Sequence, residues 1–358
     1  MNRTKAKIAM IAAILVTAGF TGCGETLAEL EFNTSKTMVT GVANKDKNPT
    51  KAVIPEGVKV IVEEAFWWCD SLASVKIPSS VEEIGKKAFW RCYSLKSVTL
   101  PEGVKEIGEE AFYECKSLAS VTIPGSVEEI GENAFSGCES LASLTIGNGV
   151  KVIGDGAFSG CESLTSVTIP ESVEEIRSYA FGGTGLTSVT IPNSVKKLAG
   201  FGGTALTSVT IPGNVKEISR DAFYGCKSLE SVEISEGVEK IGEDAFFSCD
   251  ILESVTIPAS VKVIDERAFG YCKRLKSVEI PSSVTKISER TFRGCERLTS
   301  VTIPASVEVI GAHAFEDCKS LKSVTFQGTK AQWQAVRKGW IGTFAVKCTD
   351  GEFGKQRW

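Results

Sequence analysis

Histidine is almost missing from this sequence: His313 is the only one among 358 residues. One imidazole cannot form the paired ligands of a zinc site or a metalloprotease helix, and it leaves little for a His-based triad. His313 occupies a slot that holds Lys87, Glu110 and Asn133 in other copies of a repeat described below, which indicates a surface position. The sequence also lacks a phosphate-binding glycine loop and an Asp-rich calcium loop. We therefore expect no enzymatic activity, no cofactor and no metal.

The sequence also lacks an excess of either charge. It has 40 basic and 44 acidic residues, for a formal net charge of -4, so a nucleic-acid partner is not expected. Its 12 cysteines among 358 residues are a much smaller share than the roughly 8–10% that marks a disulfide scaffold. The hydrophobic content of 42% is enough for a continuous core. These counts predict an ordered body that is not held together mainly by disulfides.

The first residues have the pattern of an export signal. Three basic residues precede an apolar stretch at 8–20, which is shorter than the about 20 residues that a spanning helix needs. Small residues before Cys23 resemble a bacterial lipobox, whose cysteine is lipidated and becomes the new N-terminus. We predict a signal peptide over 1–22 and a lipid anchor at Cys23. The alternative is an ordinary signal peptide cut nearby, for example after Ala28, which would give a secreted protein.

Most of the remaining chain consists of one unit repeated twelve times. A phenylalanine with fixed surroundings recurs, mostly every 23 residues, at Phe66, Phe89, Phe112, Phe135, Phe158, Phe181, Phe201, Phe223, Phe246, Phe269, Phe292 and Phe315. A period of 20 to 29 with Leu-x-x-Val-x-Ile is typical of a leucine-rich-repeat solenoid. We predict a β-rich solenoid, an arc of about twelve 23-residue repeats with a parallel β-sheet, over residues 51–326.

The copy at 157–176 illustrates the expected coil. Val167 and Ile169 alternate with Ser166 and Thr168, so the apolar pair shares the inner face of a strand and the hydroxyl pair points outward. The proline that follows ends this strand. A short second strand then leads to the turn that contains the next phenylalanine. One coil cannot cover its own two sides, so each must stack on its neighbours.

Ten cysteines follow the same period, each three residues after a repeat phenylalanine. They are Cys69, Cys92, Cys115, Cys138, Cys161, Cys226, Cys249, Cys272, Cys295 and Cys318. Stacked side chains point in parallel, which suits a disulfide badly, and no histidine or carboxylate column accompanies them. We predict a structural ladder of reduced cysteines. The copies at Phe181 and Phe201 lack the cysteine and are shorter, which we interpret as repeat drift; a hinge or a ligand notch is the alternative.

Caps are expected at both ends of the solenoid. Residues 23–50 would contain the lipidated N-terminus, a linker and a strand cap. Residues 327–358 would form the C-terminal cap, with a capping box at Thr329 and a helix that carries Trp333 and Trp340 on one face. A strand at 344–348 is predicted to follow before a turn.

Two surfaces are candidates for binding other proteins. The first is a face of hydroxyl groups on the predicted strands, with members Ser97, Thr99, Ser120, Thr122, Ser166 and Thr168. The second is an aromatic cluster near the N-terminal end, formed by Trp67, Trp68, Trp90, Tyr93 and Tyr113. Exposed tryptophan and tyrosine are typical of binding hot spots, but the cluster could instead be the core of the N-terminal cap.

The repeat Leu-x-Ser-Val-Thr-Ile-Pro-x-Ser-Val-x-x-Ile-Gly-x-x-Ala-Phe-x-x-Cys, seen with small changes at 95–115 and 118–138, resembles that of the BspA-like leucine-rich-repeat surface proteins of bacteria. The resemblance extends over about residues 37–351. It implies a cell-surface protein whose solenoid binds other proteins, including host extracellular matrix or plasma proteins in some members. It implies no catalytic residue.

The sequence therefore predicts a non-enzymatic, exported module at the bacterial cell surface or outer membrane that binds proteins and acts in adhesion. Its expected partners are other proteins and, through the anchor, a membrane. The main alternative is a structural, envelope-organising repeat protein without a host ligand. A remote alternative is a hydroxyl ladder that binds ice or glycans.

Overall fold

A computed structural model describes residues 25–358; the predicted signal peptide and Cys23 lie outside the described residues. Within this range the regular structure consists almost entirely of short strands, with one 3-10 turn at Lys45–Lys47 and one helix, α1, at Lys330–Ala335. The strands are β1 Leu30–Phe32, β2 Met38–Val42, β3 Lys51–Val53, β4 Val60–Ile61, β5 Ser74–Lys76, β6 Glu83–Ile84, β7 Ser97–Val98, β8 Glu106–Ile107, β9 Ser120–Ile123, β10 Glu129–Ile130, β11 Ser143–Ile146, β12 Val152–Ile153, β13 Glu175–Ile176, β14 Lys197–Leu198, β15 Ser208–Ile211, β16 Glu217–Ile218, β17 Ser231–Ile234, β18 Lys240–Ile241, β19 Ser254–Thr256, β20 Val263–Ile264, β21 Ser277–Glu279, β22 Lys286–Ile287, β23 Ser300–Ile303, β24 Val309–Ile310, β25 Ser323–Phe326, β26 Arg337–Lys338, β27 Thr343–Cys348 and β28 Gly351–Arg357.

The chain winds as a solenoid in which each coil lies one repeat above the last. The short second strands pair side by side in one sheet of 15 strands, from β1 and β2 through β4 to β26. Pairing in this sheet is parallel after the first two strands, and Ile130 faces Ile153, one repeat later. The predicted β-rich solenoid of parallel, stacked repeats is confirmed.

The repeat phenylalanines form the centre of a single core. All twelve rings are buried, and each stacks on the next with centroids 4.8–5.7 Å apart and planes within 2–13° of parallel. The column ends where Phe344 of the C-terminal cap meets Phe315 edge-on, at 5.9 Å. Buried valine, isoleucine, leucine and alanine fill the space around the column. Each coil therefore contributes one ring to a continuous apolar column.

The strands that carry the hydroxyl face are less continuous than the second strands. They form three separate parallel stacks, β3 to β11, β15 to β19, and β21 to β27. Residues 166–169 and 188–191 form no strand, and their backbone groups make no backbone hydrogen bond. The strand predicted around Ser166 and Thr168 is therefore wrong. The gap adjoins the shortened copies at Phe181 and Phe201, and pairing resumes at β15, directly after the Phe201 turn.

This gap predicts a local difference in amide hydrogen exchange. Val-Thr-Ile occurs at 121–123 inside a paired stack and at 167–169 and 189–191 in the gap, so the intrinsic exchange rates match. We expect the mean protection factor in the gap to be lower than that at 121–123 by a factor of about 100 or more. This factor corresponds to about 3 kcal/mol of opening free energy. Native-state exchange followed by mass spectrometry measures this. Equal protection of the three tripeptides would contradict the split sheet.

The N-terminal cap is a small antiparallel hairpin. Strand β1 pairs with β2, and β2 joins the main sheet by pairing with β4. The buried side chain of Asn44 holds the preceding segment, since its Oδ1 accepts from the Glu29 amide and its Nδ2 donates to the Leu27 carbonyl. These contacts cover the first coil.

The C-terminal cap differs in part from the prediction. Helix α1 begins with the predicted capping box at Thr329, and Trp333 is fully buried. The helix ends at Ala335, short of Trp340, because the next residues pair with β24 as strand β26. Trp340 packs edge-on against His313, with centroids 5.2 Å apart, so the surface position inferred for His313 has a specific neighbour. Strands β27 and β28 then close the end as an antiparallel hairpin.

Candidate functional site

The cysteine ladder sits inside the turns that carry the phenylalanines. Each ladder thiol after the first donates to the carbonyl of the phenylalanine one coil earlier, at 3.1–3.3 Å, as Cys138 does to Phe112. All described cysteines are free thiols. Burial raises the pKa of the Cys161 thiol to about 12, which keeps it protonated and unreactive. The ladder therefore links neighbouring turns through the polypeptide backbone.

Threonine replaces cysteine in the two short copies. Thr184 and Thr204 are buried, and each donates its hydroxyl to the carbonyl of its own coil's phenylalanine at 2.8 Å. The sequence analysis missed these two residues, although both keep the spacing of three from the phenylalanine. A small buried donor is thus retained where the sulfur is lost.

The hydroxyl face is exposed but divided. Ser97, Thr99, Ser120 and Thr122 are exposed around β7 and β9, and Ser120 aligns with Ser143 of the next coil. Ser166 and Thr168 are also exposed, but they lie in the gap. Because the face is split into three stacks, it offers no single regular array, which argues against a ligand such as ice.

The structure brings the predicted aromatic residues together in one patch, defined here as Trp67, Trp68, Trp90, Tyr93 and Tyr113. The rings of Trp67, Trp90 and Tyr113 stack in successive coils, with centroids 5.8 and 6.0 Å apart. Trp68 lies 4.9 Å from Trp67 and is 47% exposed. The other four side chains are half-buried. The aromatic patch is therefore a surface feature.

Charged residues order the aromatic patch, and the sequence analysis missed them. The Arg91 guanidinium lies 4.2 Å from the centre of the Trp90 ring, and its Nε is 2.8 Å from Glu114 Oε2. The Tyr93 hydroxyl donates to the same carboxylate oxygen at 3.4 Å. Burial raises the pKa of Tyr113, and the nearby Glu114 charge adds to this. The rings are thus held by stacking and by one polar network.

Two residues beside the stacked rings occupy a turn position that is left-handed in every repeat. Trp68 and Arg91 lie two residues after a repeat phenylalanine and adopt left-handed φ values of 57°. In some coils this position is glycine, as in Gly137, Gly160 and Gly183 with φ of 65–72°; in others it is a larger residue, as in Glu114, Ser248 and Asp317 with φ of 52–60°. A large side chain in this conformation costs about 1–2 kcal/mol, which glycine avoids. The conformation therefore belongs to the repeat turn, and Trp68 differs from the other copies in placing a large, 47% exposed ring there.

Among the described polar contacts, one hydrogen bond joins the N-terminal cap to a residue of the aromatic patch. Lys45 donates its ammonium to the backbone carbonyl of Trp67 at 3.1 Å. This bond involves the main chain, and none of the five patch side chains is fully buried. The five side chains therefore keep surface that a partner could contact.

Comparisons with known proteins agree with this architecture. A family model described as the BspA type leucine-rich repeat region matches residues 15–104, 36–151, 82–200 and 199–322. The chain belongs to this family. No curated protein matches it.

Several solved structures are similar to this BspA-type chain. A leucine-rich repeat protein from Bacteroides ovatus is 29% identical, with a TM-score of 0.58, and the match covers 94% of this chain and 100% of that one. A leucine rich cell surface protein from Faecalibacterium prausnitzii is 28% identical, with a TM-score of 0.54, covering 89% and 97%. A leucine-rich repeat protein from Eubacterium ventriosum, 22% identical with a TM-score of 0.53 over 78% and 88%, shares the fold.

Membership in this family suggests a general role. Leucine-rich repeats of this kind are generally non-enzymatic scaffolds, and their fold suggests protein–protein interaction. The cell-surface relative suggests an extracellular or surface location. No helix within residues 25–358 is long and apolar enough to cross a membrane.

Proposed function

We propose that this chain is a protein-binding module displayed on the bacterial surface, anchored by lipid at Cys23, and that the aromatic patch is its main contact. The observation that carries this proposal is the exposed ring of Trp68 beside the stacked Trp67 and Trp90. Tryptophan, tyrosine and arginine dominate binding hot spots. Their combination on one rigid surface supports a binding role.

The mechanism of such a module is rigid display. The phenylalanine column and the paired second strands fix each coil against the next. The rings of the aromatic patch are held by stacking before a partner arrives, so little side-chain entropy is lost on binding. The solenoid provides a long surface on which the hydroxyl face can add weaker contacts.

Host extracellular matrix or plasma proteins are the proposed partners, with a role in adhesion. The second candidate is a structural protein that organises the envelope and has no host ligand. A pull-down with a panel of purified matrix and plasma proteins separates the two. Capture that depends on Trp67 and Trp90 supports the first; no capture from the whole panel favours the second.

The anchor has its own test. We expect labelled palmitate to enter the protein during growth, and Cys23→Ala to release it from membranes into the soluble fraction, since the lipid is attached through that cysteine. The readout is the distribution of label and protein between membrane and soluble fractions. If the protein takes up no palmitate and Cys23→Ala leaves its distribution unchanged, it has no lipid anchor at Cys23.

A further inference from the structure

A second aromatic patch lies farther along the same row of turns. This distal patch consists of Tyr224, Phe247 and Tyr271. Tyr224 stacks on Phe247 at 5.4 Å, and Phe247 meets Tyr271 edge-on at 5.3 Å. Tyr224 is 40% exposed, and Tyr271 adopts a left-handed φ of 58° in the same position that Trp68 occupies in the first coil. The distal patch thus repeats the strained aromatic feature of the first one.

A cavity of about 250 Å³ opens in the distal patch. Its walls are Phe247, Tyr271, Arg267, Arg290 and Arg293. Each of the two rings lies against a glycine of the next turn: a Cβ at Gly270 would come within 2.9 Å of Phe247, and one at Gly294 within 2.6 Å of Tyr271. The cavity is therefore a shaped recess bounded by aromatic rings and guanidinium groups.

The charge on these arginines is already compensated. Arg267 Nη2 is 2.7 Å from both Glu243 and Asp244, and Arg290 Nη1 is 2.8 Å from Glu289. Arg293 Nε is 2.8 Å from Glu316 in the same way. A free anion would have to compete with these carboxylates. The planar guanidinium faces can still stack on a ring, so the cavity suits an aromatic side chain.

The chain itself presents a side chain of this kind. We propose that the occupant is Trp68 from a second copy, so that two chains form a dimer in which each Trp68 enters the other chain's distal cavity. Among the exposed aromatic residues of the described chain, Trp68 has the largest exposed fraction, 47%, against 42% for Tyr179 and 40% for Tyr224. This inference rests on the proposed function, because it names a partner for the aromatic patch.

The arrangement of the two patches fits a two-fold interface. Between them, the position after the repeat phenylalanine holds only Ser136, Ser159, Gly182 and Gly202. Tyr179 lies in this interval with its ring against the two glycines, since a Cβ on either would come within 3.0 Å of it. At the position after the phenylalanine, the order large, small, large is therefore symmetric about its centre, near which the exposed ring of Tyr179 lies. A two-fold dimer needs such a self-complementary surface, so antiparallel chains would pair each patch with the other.

Sedimentation velocity over a concentration series tests this proposal, with the full chain carrying Cys23→Ala to remove lipid-driven association. We expect the chain with the wild-type patches to approach twice the mass of its monomer. Trp68→Gly and Tyr271→Gly should each raise the dimer dissociation constant about 10- to 100-fold. Glycine suits the left-handed φ at both positions, so the melting temperature should not fall. Lys36→Gly, with φ of 58° in the exposed turn between β1 and β2 and outside both patches, is the control.

A mixing experiment tests the pairing directly. Equimolar Trp68→Gly and Tyr271→Gly chains should recover dimer, because one intact tryptophan then meets one intact cavity. The proposal is overturned if wild type stays monomeric, if both variants dimerise like wild type, or if mixing restores nothing. A monomeric wild type that still captures matrix or plasma proteins through Trp67 and Trp90 would remove only the dimer; loss of both results would remove the proposed function as well.

Discussion

Replacing Phe158 by alanine is expected to lower the free energy of unfolding by about 3–5 kcal/mol. The Phe158 ring is completely buried, and it stacks at 5.5 Å on both Phe135 and Phe181. Its removal loses apolar burial and leaves a gap in the column. The coils on either side are held by paired second strands, so they cannot move in to fill the gap.

Ser159→Ala is the matched control for this substitution. Ser159 is the next residue, half-buried on the surface side of the same turn, so its change should stay within about 0.5 kcal/mol. Denaturant unfolding of both variants measures the difference, with m-values compared because long repeat arrays can unfold in parts. A cost below about 1 kcal/mol for Phe158→Ala would contradict a column in which every ring contributes.

The double variant Trp67→Ser, Trp90→Ser is expected to weaken partner binding about 100-fold or more. Hot-spot aromatic residues contribute at least about 2 kcal/mol each, and about 1.4 kcal/mol corresponds to a factor of ten. Folding should be little affected, since serine occupies the same position at Ser136 and Ser159 in coils of the same shape. Surface plasmon resonance with a captured partner and thermal melting together measure these two effects.

The two interpretations of the aromatic patch give opposite results in this experiment. An interaction patch predicts lost binding and melting within a few degrees of wild type. A cap core predicts a clearly lower melting temperature, because the N-terminal hairpin would lose its packing against the rings. Lower melting with unchanged affinity would therefore overturn the binding role of the aromatic patch.

The periodic features of this fold were predictable from the sequence, and the departures were not. The repeat places a phenylalanine in the same environment twelve times, so the burial of Phe158 follows from the pattern alone. The gap at 166–169 was not predictable, because its local sequence is the same as in a paired strand. Helix α1 ends early because β26 finds a partner in β24, which is a tertiary effect.

The candidate site was predictable in its aromatic residues only. Trp67 and Trp90 were found because the repeat aligns them. Arg91 and Glu114 were missed because an isolated charged residue beside a turn has no distinctive pattern. The left-handed φ values were missed as well. They occur at the residue just before the repeat cysteine, and that residue varies between glycine and larger side chains, so the sequence shows no constant glycine there.

The most direct test of the account compares two surfaces of the same protein against one panel of purified matrix and plasma proteins. Trp67→Ser with Trp90→Ser removes the aromatic patch, and Thr122→Lys changes the exposed hydroxyl face on β9. We predict that wild type binds a member of the panel, that the aromatic-patch variant loses about 100-fold or more in affinity, and that Thr122→Lys stays within about threefold. Equal affinity for wild type and the aromatic-patch variant, or loss only with Thr122→Lys, would contradict it.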